Sequence, residues 1–495
     1  MKLLQMTLYC ALLLFIAKVN AQEPNLKHTY KWYFGYGAGL DFSSGEPVPL
    51  TDGVTDNTTY EATFVVNDDN GNLLFYGNHG TIWNKNHEVM QGGGDFGATQ
   101  SVTQIQCIKQ PGNEFLYYLF HPIDTQPASI HYSIIDINAN NGLGAVIGTQ
   151  ELVPQPATQG IGAVLHCNGT DVWIAVKEYL SPHLQTWLLT ENGVEETPVI
   201  SQNVVQIDYW ENVSSDIIFS PNGKKAVASY LYTTSGIDWS NSTFELYEFD
   251  DCTGQFSNTI NIPHSCVYGI CFSPNNTKLY VGSTFDCILH GSSQDNEFVQ
   301  YDISDYNETA ILNSKYVISA GTHLSVDDMR IAPDGRIYVC DLDTLRDDFG
   351  LFKLGVINNP NGLGAACSYL PDTVNLGGYL LPNGFCNQCH LIGLPEFLPH
   401  YFNNLEPTLL VEEYVQQDNV HLYPNPVIDL VNITHTHKEK IHYRIIDLQG
   451  KIHQSGNYHT KNTKIDLHHL PQGMYFIQLE STTNHNIFTF KISKL

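Results

Sequence analysis

Residues 22–395 alternate apolar and polar positions in short runs, each interrupted by Pro, Asn, Asp or Gly. A period of two is a strand pattern, and the interruptions are turn residues. One phrase recurs. Phe219-Ser220-Pro221-Asn222-Gly223-Lys224-Lys225-Ala226-Val227-Ala228 is echoed by Phe272-Ser273-Pro274-Asn275-Asn276-Thr277-Lys278-Leu279-Tyr280-Val281, then by Ile331-Ala332-Pro333-Asp334-Gly335-Arg336-Ile337-Tyr338-Val339. Each reads as strand, tight turn and strand, a β-hairpin. Looser copies lie at 65–76, 106–120 and 164–176, with Gly71, Gly112 and Gly169 in the turns. Pro221 and Pro274 are 53 residues apart, and Pro274 and Pro333 are 59 apart, too far for one hairpin per repeat.

A second phrase fills the gaps: Tyr247-Glu248-Phe249-Asp250 ahead of Thr253-Gly254, with related forms at 134–142, 301–307, 352–362 and 40–45. An inner hairpin plus an outer hairpin is a four-stranded unit, which predicts an all-β fold built of propeller blades. Residues 22–395 number 374, enough for about seven blades at roughly 40–55 residues each. The chain opens on an outer-type phrase at 32–50. An N-terminal strand can therefore pair with the chain's end and close the ring without an open sheet edge. Alternating strands would also suit a β-sandwich or two unrelated β-domains, but the regular recurrence favours a ring.

The pattern changes near residue 398. The polar, proline-bearing stretch 398–419 reads as a linker, leaving a propeller at 22–397 and a second domain at 420–495. Alternating segments such as Ile441-His442-Tyr443-Arg444-Ile445-Ile446-Asp447 and Met474-Tyr475-Phe476-Ile477-Gln478-Leu479 predict a small antiparallel, immunoglobulin-like β-sandwich there. Charge divides at the same place. Residues 421–495 carry 8 Lys plus Arg and 5 Asp plus Glu, a balance of +3. Residues 22–420 carry 13 and 46, a balance of −33. The formal total of −28 argues against sequence-independent nucleic-acid binding, which needs clustered cations.

At the other end, Lys2, an apolar run at 3–17 and Val19-Asn20-Ala21 read as a secretory signal at 1–21, cut between Ala21 and Gln22. The run is shorter than the roughly 20 residues that span a bilayer. Beyond Cys10 there are ten cysteines, an even number that favours disulfides in an exported chain, although their connectivity cannot be derived.

Chemical signals are sparse. Cys386-Asn387-Gln388-Cys389-His390 has the spacing of a c-type haem attachment site, with a local or cross-blade disulfide as the alternative. Asn67-Asp68-Asp69-Asn70-Gly71-Asn72 is similar to a calcium loop but lacks its first acid and its final Glu, so it reads as a hairpin turn. Asp250-Asp251 and Asp327-Asp328 could serve acid/base chemistry, yet most such pairs are solvated turns. Alternating His in the C-terminal domain, among them His435, His437, His468 and His469, fit a solvated strand face better than a metal site. No Gly-x-Ser-x-Gly elbow, His-Glu-x-x-His helix or phosphate-binding Gly loop occurs. The reading is an exported, non-enzymatic binding protein with no resident cofactor or metal. Its alternatives are a polysaccharide-active hydrolase or lyase with acids at the propeller mouth, and a haem electron carrier.

Two resemblances extend this reading. Trp32-Tyr33-Phe34-Gly35, Gly39-Leu40-Asp41-Phe42-Ser43-Ser44-Gly45, Asn70-Gly71-Asn72-Leu73-Leu74-Phe75-Tyr76, Tyr132-Ser133-Ile134-Ile135-Asp136 and His166-Cys167-Asn168-Gly169 resemble the WD40-like propeller region of many Bacteroidota surface and secreted proteins. That resemblance implies a propeller and no defined catalytic set. Tyr423-Pro424-Asn425-Pro426, Asp447-Leu448-Gln449-Gly450-Lys451, Leu470-Pro471-Gln472-Gly473-Met474-Tyr475 and Lys491-Ile492 resemble the type A C-terminal sorting domain of the type IX secretion system. It implies transit across the outer membrane, removal by a sortase-like protease, and either release or attachment to an anionic lipopolysaccharide. The propeller's own partner would be a protein or a glycan.

Overall fold

The computed structural model describes residues 24–494 except 56–60, 95–103, 124–127, 180, 203–212, 233–240, 285–295, 346–348, 381–385, 391–392, 408–420, 424–426, 435–440, 448–450, 459–461 and 482–486. Two compact units divide at Thr408 and Leu409.

The first unit is a propeller of antiparallel meanders. Sheet 1 has three strands, Lys31–Phe34, Ala38–Asp41 and Val48–Leu50. Sheet 2 is Thr63–Asn67, Leu73–Asn78, Thr81–Asn84 and Val89–Gly94. Sheet 3 is Gln106–Lys109, Leu116–Ile123, Ala128–Asp136 and the first part of the long strand Ala145–Leu165. The rest of that strand begins sheet 4, which continues with Val172–Glu178, Leu184–Thr190 and an edge split into Gly193–Val194 and Val199–Ser201. Sheet 5 is Val213–Phe219, Lys225–Tyr232, Asn241–Asp250 and Gln255–Ile262. Sheet 6 is Val267–Phe272, Lys278–Ser283, Glu297–Asp302 and Tyr316–Ala320. Sheet 7 is Leu324–Ile331, Ile337–Asp343, Lys353–Ile357 and Tyr369–Asn375. The three Pro-Asn/Asp phrases are the inner hairpin turns of sheets 5, 6 and 7.

Side-chain alternation turns these sheets into a ring. On the second strand of sheet 5, Ala226, Ala228 and Tyr230 pack toward sheet 4, while Val227 between them packs toward sheet 6. Every sheet is thus buried on both faces. Apolar clusters join sheets 2 to 3, 3 to 4, 4 to 5, 5 to 6 and 6 to 7. Trp32, Phe34 and Leu40 of sheet 1 meet Tyr338, Leu354 and Val356 of sheet 7, and Tyr33 stacks on Tyr76 of sheet 2 at 4.6 Å. The N-terminal sheet therefore closes the circle. Backbone bonds seal the closure, Tyr36 N to Cys389 O at 2.9 Å and Gln388 N to Tyr36 O at 2.7 Å. Gly35 stands there with φ +54°, and a Cβ would lie 2.0 Å from Cys389 O, so only glycine fits. Gln104 clips three sheets together: its Oε1 accepts from Ile161 N at 3.0 Å and Ile217 N at 2.8 Å, and its Nε2 donates to Ile217 O.

The sequence placed the start of a linker at residue 398. Instead, the chain continues as a strap against the propeller, through the 3-10 turn Pro399–Phe402. Phe402 is buried in the cluster between sheets 6 and 7. Asn404 N donates to Pro274 O, Asn403 bonds Asn276, and Glu406 lies against Gly335. These contacts use the repeat turns themselves, which is why composition alone read the stretch as linker.

The second unit is a sandwich. A three-stranded sheet, His421–Tyr423, Leu430–Thr434 and Asn462–Asp466, faces a four-stranded one ordered Ile452–Tyr458, Ile441–Asp447, Gly473–Ser481 and Ile487–Lys494. Val431, Ile433, Ile445, Ile477, Leu479 and Ile492 fill its core. The period of two again decides the faces: Tyr475, Ile477 and Leu479 point inward, Met474 outward.

Candidate functional sites

The propeller channel is polar at one level and apolar at the next, because successive inner-strand residues differ in kind. Asp216, Tyr268, Asp327 and Asp328 come from the inner strands of sheets 5, 6 and 7, and Glu61 comes from the approach to sheet 2. The strap adds Pro395–Glu396, which pairs in parallel with Thr63 and Phe64. Arg330 sits among these acids. Its guanidinium bonds Asp328 and, with the other terminal nitrogen, Glu396. The same Asp328 accepts from Met329 N and Leu394 N, each at 2.7 Å, and Tyr268 donates its hydroxyl to Glu61 at 2.6 Å. Asp328 and Glu396 thus share one guanidinium, with Asp216 within reach of its charge, while Glu61 is held by Tyr268 and Asp327 by the Ser325 hydroxyl.

Burial governs their protonation. It pushes the carboxyls of Asp328 and Glu396 above the usual range, against the pull of Arg330. Burial raises Asp216 well above it, Arg330 again opposing and the nearby acids adding to the rise. Carboxylates do converge, as a polysaccharide-active reading requires, but the space they enclose is about 20 Å³. That is room for about one water, not a sugar ring. Gly393 makes the seal: a Cβ there would stand 1.7 Å from Glu61 O. The cluster holds the strap in the channel.

Cys386 and Cys389 form a disulfide with each other. His390 is fully buried, its Nε2 3.2 Å from Gly350 O and its backbone N bonded to Leu351 O. These residues do not fit a haem: the thiols are used, and the ring has no open side. The pattern that suggested one is the staple of the ring closure. Cys167 and Cys252 bridge turns of sheets 4 and 5, and Cys266 is also disulfide-bonded, its partner lying outside the described residues. Cys107, Cys271, Cys340 and Cys367 are free thiols. Asp68 is a turn residue: Oδ1 accepts from Asn70 N and Asn72 N, and Oδ2 from the Asn72 amide. Asp250 caps its turn at Cys252 N, and Asp251 pairs with Lys224 at 2.5 Å.

In the second unit, Asp447 ends its strand, accepts from Lys451 N at 2.9 Å and meets His453 Nε2 at 2.7 Å. His453 lies edge-on to Tyr475 at 5.7 Å, and the Tyr475 hydroxyl donates to Pro471 O at 3.0 Å. Asp447 and Tyr475 are neighbours in register, as are Phe476 and Lys491. Three motif segments widely separated in sequence therefore occupy one sheet. Gly473 begins the strand that carries Tyr475, and Tyr423 ends the strand His421–Tyr423. Pro424, Asn425, Pro426 and Gly450 lie outside the described residues, as do Ala21 and Gln22.

Fold and site together define an all-β protein, a propeller followed by a sandwich. Residues 421–492 match the family described as secretion system C-terminal sorting domain. The chain therefore carries a type IX sorting domain that engages the secretion machinery, and it travels to the cell surface or the medium. No curated protein matches it. Among solved structures it is similar to PorZ, an essential bacterial surface component of the type IX secretion system of Porphyromonas gingivalis. There the identity is 11% and the TM-score 0.36, covering 92% of this chain and 62% of that one. It is also similar to Kuenenia stuttgartiensis hydrazine synthase, at 12% identity and TM-score 0.36, over 67% and 99% of the two chains. The Dos1 propeller follows at 11% and 0.33, over 56% and 74%. The chain spans less than two thirds of the first, and at these scores none bears on what it does. No helix among the described residues is long and apolar enough to cross a membrane.

Of the channel residues, sequence reading named only Asp327-Asp328, which lie buried on a strand and not in a solvated turn; Glu61, Asp216, Tyr268, Arg330 and Glu396 were missed. One signal was available: the whole chain has four arginines, and Arg330 falls on an inner-strand position where the repeats otherwise place apolar residues.

Buried histidines give a testable pH dependence. Burial lowers His121 to about 3, helped by His79, and lowers His264 to about 4, helped by Lys315. Burial likewise lowers His400 to about 4, helped by His28. The folded protein binds fewer protons than the unfolded chain between these values and the ordinary 6.5, so stability falls as pH falls through that window. At pH 5 each should have lost about 2 kcal/mol, from roughly 1.5 pH units at 1.36 kcal/mol each. Urea unfolding of wild type and of His264→Gln at pH 7 and pH 5 isolates the histidine contribution from the opposing one of the raised channel carboxyls, and an equal loss in both proteins would contradict the assignment.

Proposed function

We propose that residues 22–397 form a seven-bladed, non-enzymatic propeller that binds an extracellular protein or glycan through loops at one end of the ring, where blade loops converge. The signal at 1–21 takes the chain to the periplasm. The sorting domain then carries it across the outer membrane, and a sortase-like protease removes it, with release or attachment to an anionic lipopolysaccharide. The observation that carries the binding reading is the sealed channel: the acids that could have done chemistry hold the chain's own strap. Seven sheets joined in a circle by apolar clusters support the blade count. Residues 203–212, 233–240 and 285–295 lie outside the described residues. Probing a glycan array and a surface-protein extract with the mature chain tests the reading. Saturable capture of a defined glycan or protein supports it. Turnover of a polysaccharide panel by the same sample would replace it with the enzymatic reading.

A further inference from the structure

An antiparallel sheet that packs on one face leaves the other to water, and that outer face is ordinarily polar. The four-stranded sheet of the second unit breaks the rule in one row. Tyr475, Ile477 and Leu479 point into the sandwich, so Met474 and Phe476 on the same strand point out. Register sets Ile446 opposite Phe476 on one side and opposite Ile452 on the other. Ile452, Ile446 and Phe476 therefore stand side by side across three strands, a row about 10 Å long at one strand spacing per step. Met474 extends the row along its own strand. Ile452 is 53% exposed and Met474 37%, while Ile446 and Phe476 are half-buried and lie outside the core cluster. The next row, Ser455, Arg444 and Gln478, is polar as such a face should be.

The border of the row is cationic. Arg444 stands in the polar row, and the exposed Lys451 precedes Ile452 at the strand end. Asp447, next to Ile446, is already bonded to Lys451 N and His453. The register carries on from Phe476 to Lys491, a position of the sorting motif. An exposed apolar patch with a polar rim marks an interaction surface, with large side chains at its centre carrying most of the binding energy.

We infer that this face docks the secretion machinery through an apolar surface rimmed by carboxylates. The inference rests on the sorting assignment and adds which side of the domain is read. Acids on the partner would meet Arg444 and Lys451, which fits the balance of +3 over residues 421–495. Anionic lipid is the poorer fit, because it is held by clusters of about four to eight cations and the described side chains supply two beside the row. A second copy is poorer too, since a two-fold contact would bring like-charged rims together.

Export of the full chain in cells tests the face. Phe476→Thr should reach the medium and the surface at about a tenth of the wild-type level, the effect of losing one central contact. Ile452→Thr should give a smaller loss, and Phe476→Leu should keep most of the export. Arg444→Glu should lower export further than Arg444→Gln, because the rim then repels. Threonine suits a strand, so the urea midpoint of the sorting domain should match wild type in the threonine variants. Leu430→Thr, an exposed change on the other sheet, should be exported normally. Normal export of folded Phe476→Thr, or an equal loss in Leu430→Thr, would overturn the assignment. If Phe476→Thr unfolds, the two Arg444 variants decide, and equal export of both with wild type overturns it. Phosphatidylglycerol vesicles that bind wild type and not Phe476→Thr would give the face to lipid. A wild-type dimer that the substitution dissociates would give it to a second copy. Export of the chain lacking residues 420–495 would remove the sorting assignment itself.

Discussion

Deletion of residues 420–495 is expected to reduce the protein in the medium and on the cell surface to background, with the propeller accumulating in the periplasm. The prediction follows from the match of 421–492 to a secretion sorting domain and from the division of the chain into units at Thr408 and Leu409. The strap through Glu406 belongs to the propeller, so the deletion leaves every apolar cluster of the first unit intact. Retention should therefore come from lost recognition and not from misfolding. Fractionation with immunoblotting measures the location, and protease resistance of the periplasmic form separates the two causes. Unchanged export after the deletion would sink the sorting assignment. A degraded, protease-sensitive product would place the strap's anchoring in doubt instead.

Arg330→Met should destabilise the propeller by about 3–5 kcal/mol, since removing one partner of a buried ion pair strands the other charges. Asp328 and Glu396 would lose the guanidinium that both contact, and Asp216 would lose the positive charge that opposes its rise. The pH dependence distinguishes this cause from a packing defect. These carboxyls already sit above the usual range, and the substitution moves them higher. In the variant the folded state then holds protons that the unfolded chain has released. Its stability must fall as pH rises from the ordinary carboxyl value through the raised one. The gap between Arg330→Met and wild type should be widest at pH 8 and narrow toward pH 5, measured on the propeller transition alone. Adding Glu396→Gln should recover part of the loss at pH 8. A gap independent of pH would mean that Arg330 acts through its packing.

Much of this was readable in one dimension. The hairpin phrases at 219–228, 272–281 and 331–339 are local: each needs only alternation and a Pro-Asn/Asp turn, and each became an inner hairpin. The sorting motif was readable for a different reason, its resemblance to a known domain; three of its spaced segments, at Asp447, Tyr475 and Lys491, then meet on one sheet. The channel was not readable. Its bonds join Tyr268 to Glu61 across 207 residues and Arg330 to Glu396 across 66. Periodicity specifies which face of a strand is buried and says nothing about which distant strand completes that face. Cys-x-x-Cys-His shows the cost of reading such a place locally. Five residues matched a haem pattern, and the fold uses them to fasten the ends of the ring.

Alternation and turn chemistry in the sequence determined that this protein is a ring of hairpins followed by a small sandwich. Charge marked where the two divide to within about ten residues, because acidity is a property of a whole domain and needs no partner to be read. Ring closure alone decided that Asp328 and Glu396 share Arg330, that residues 398–406 pack along the propeller, and that Asn67, Gln110 and His400 border one cleft. Those outcomes depend on contacts between segments far apart in the chain. Only packing brings such segments together, and only packing removes the water that had kept their charges independent.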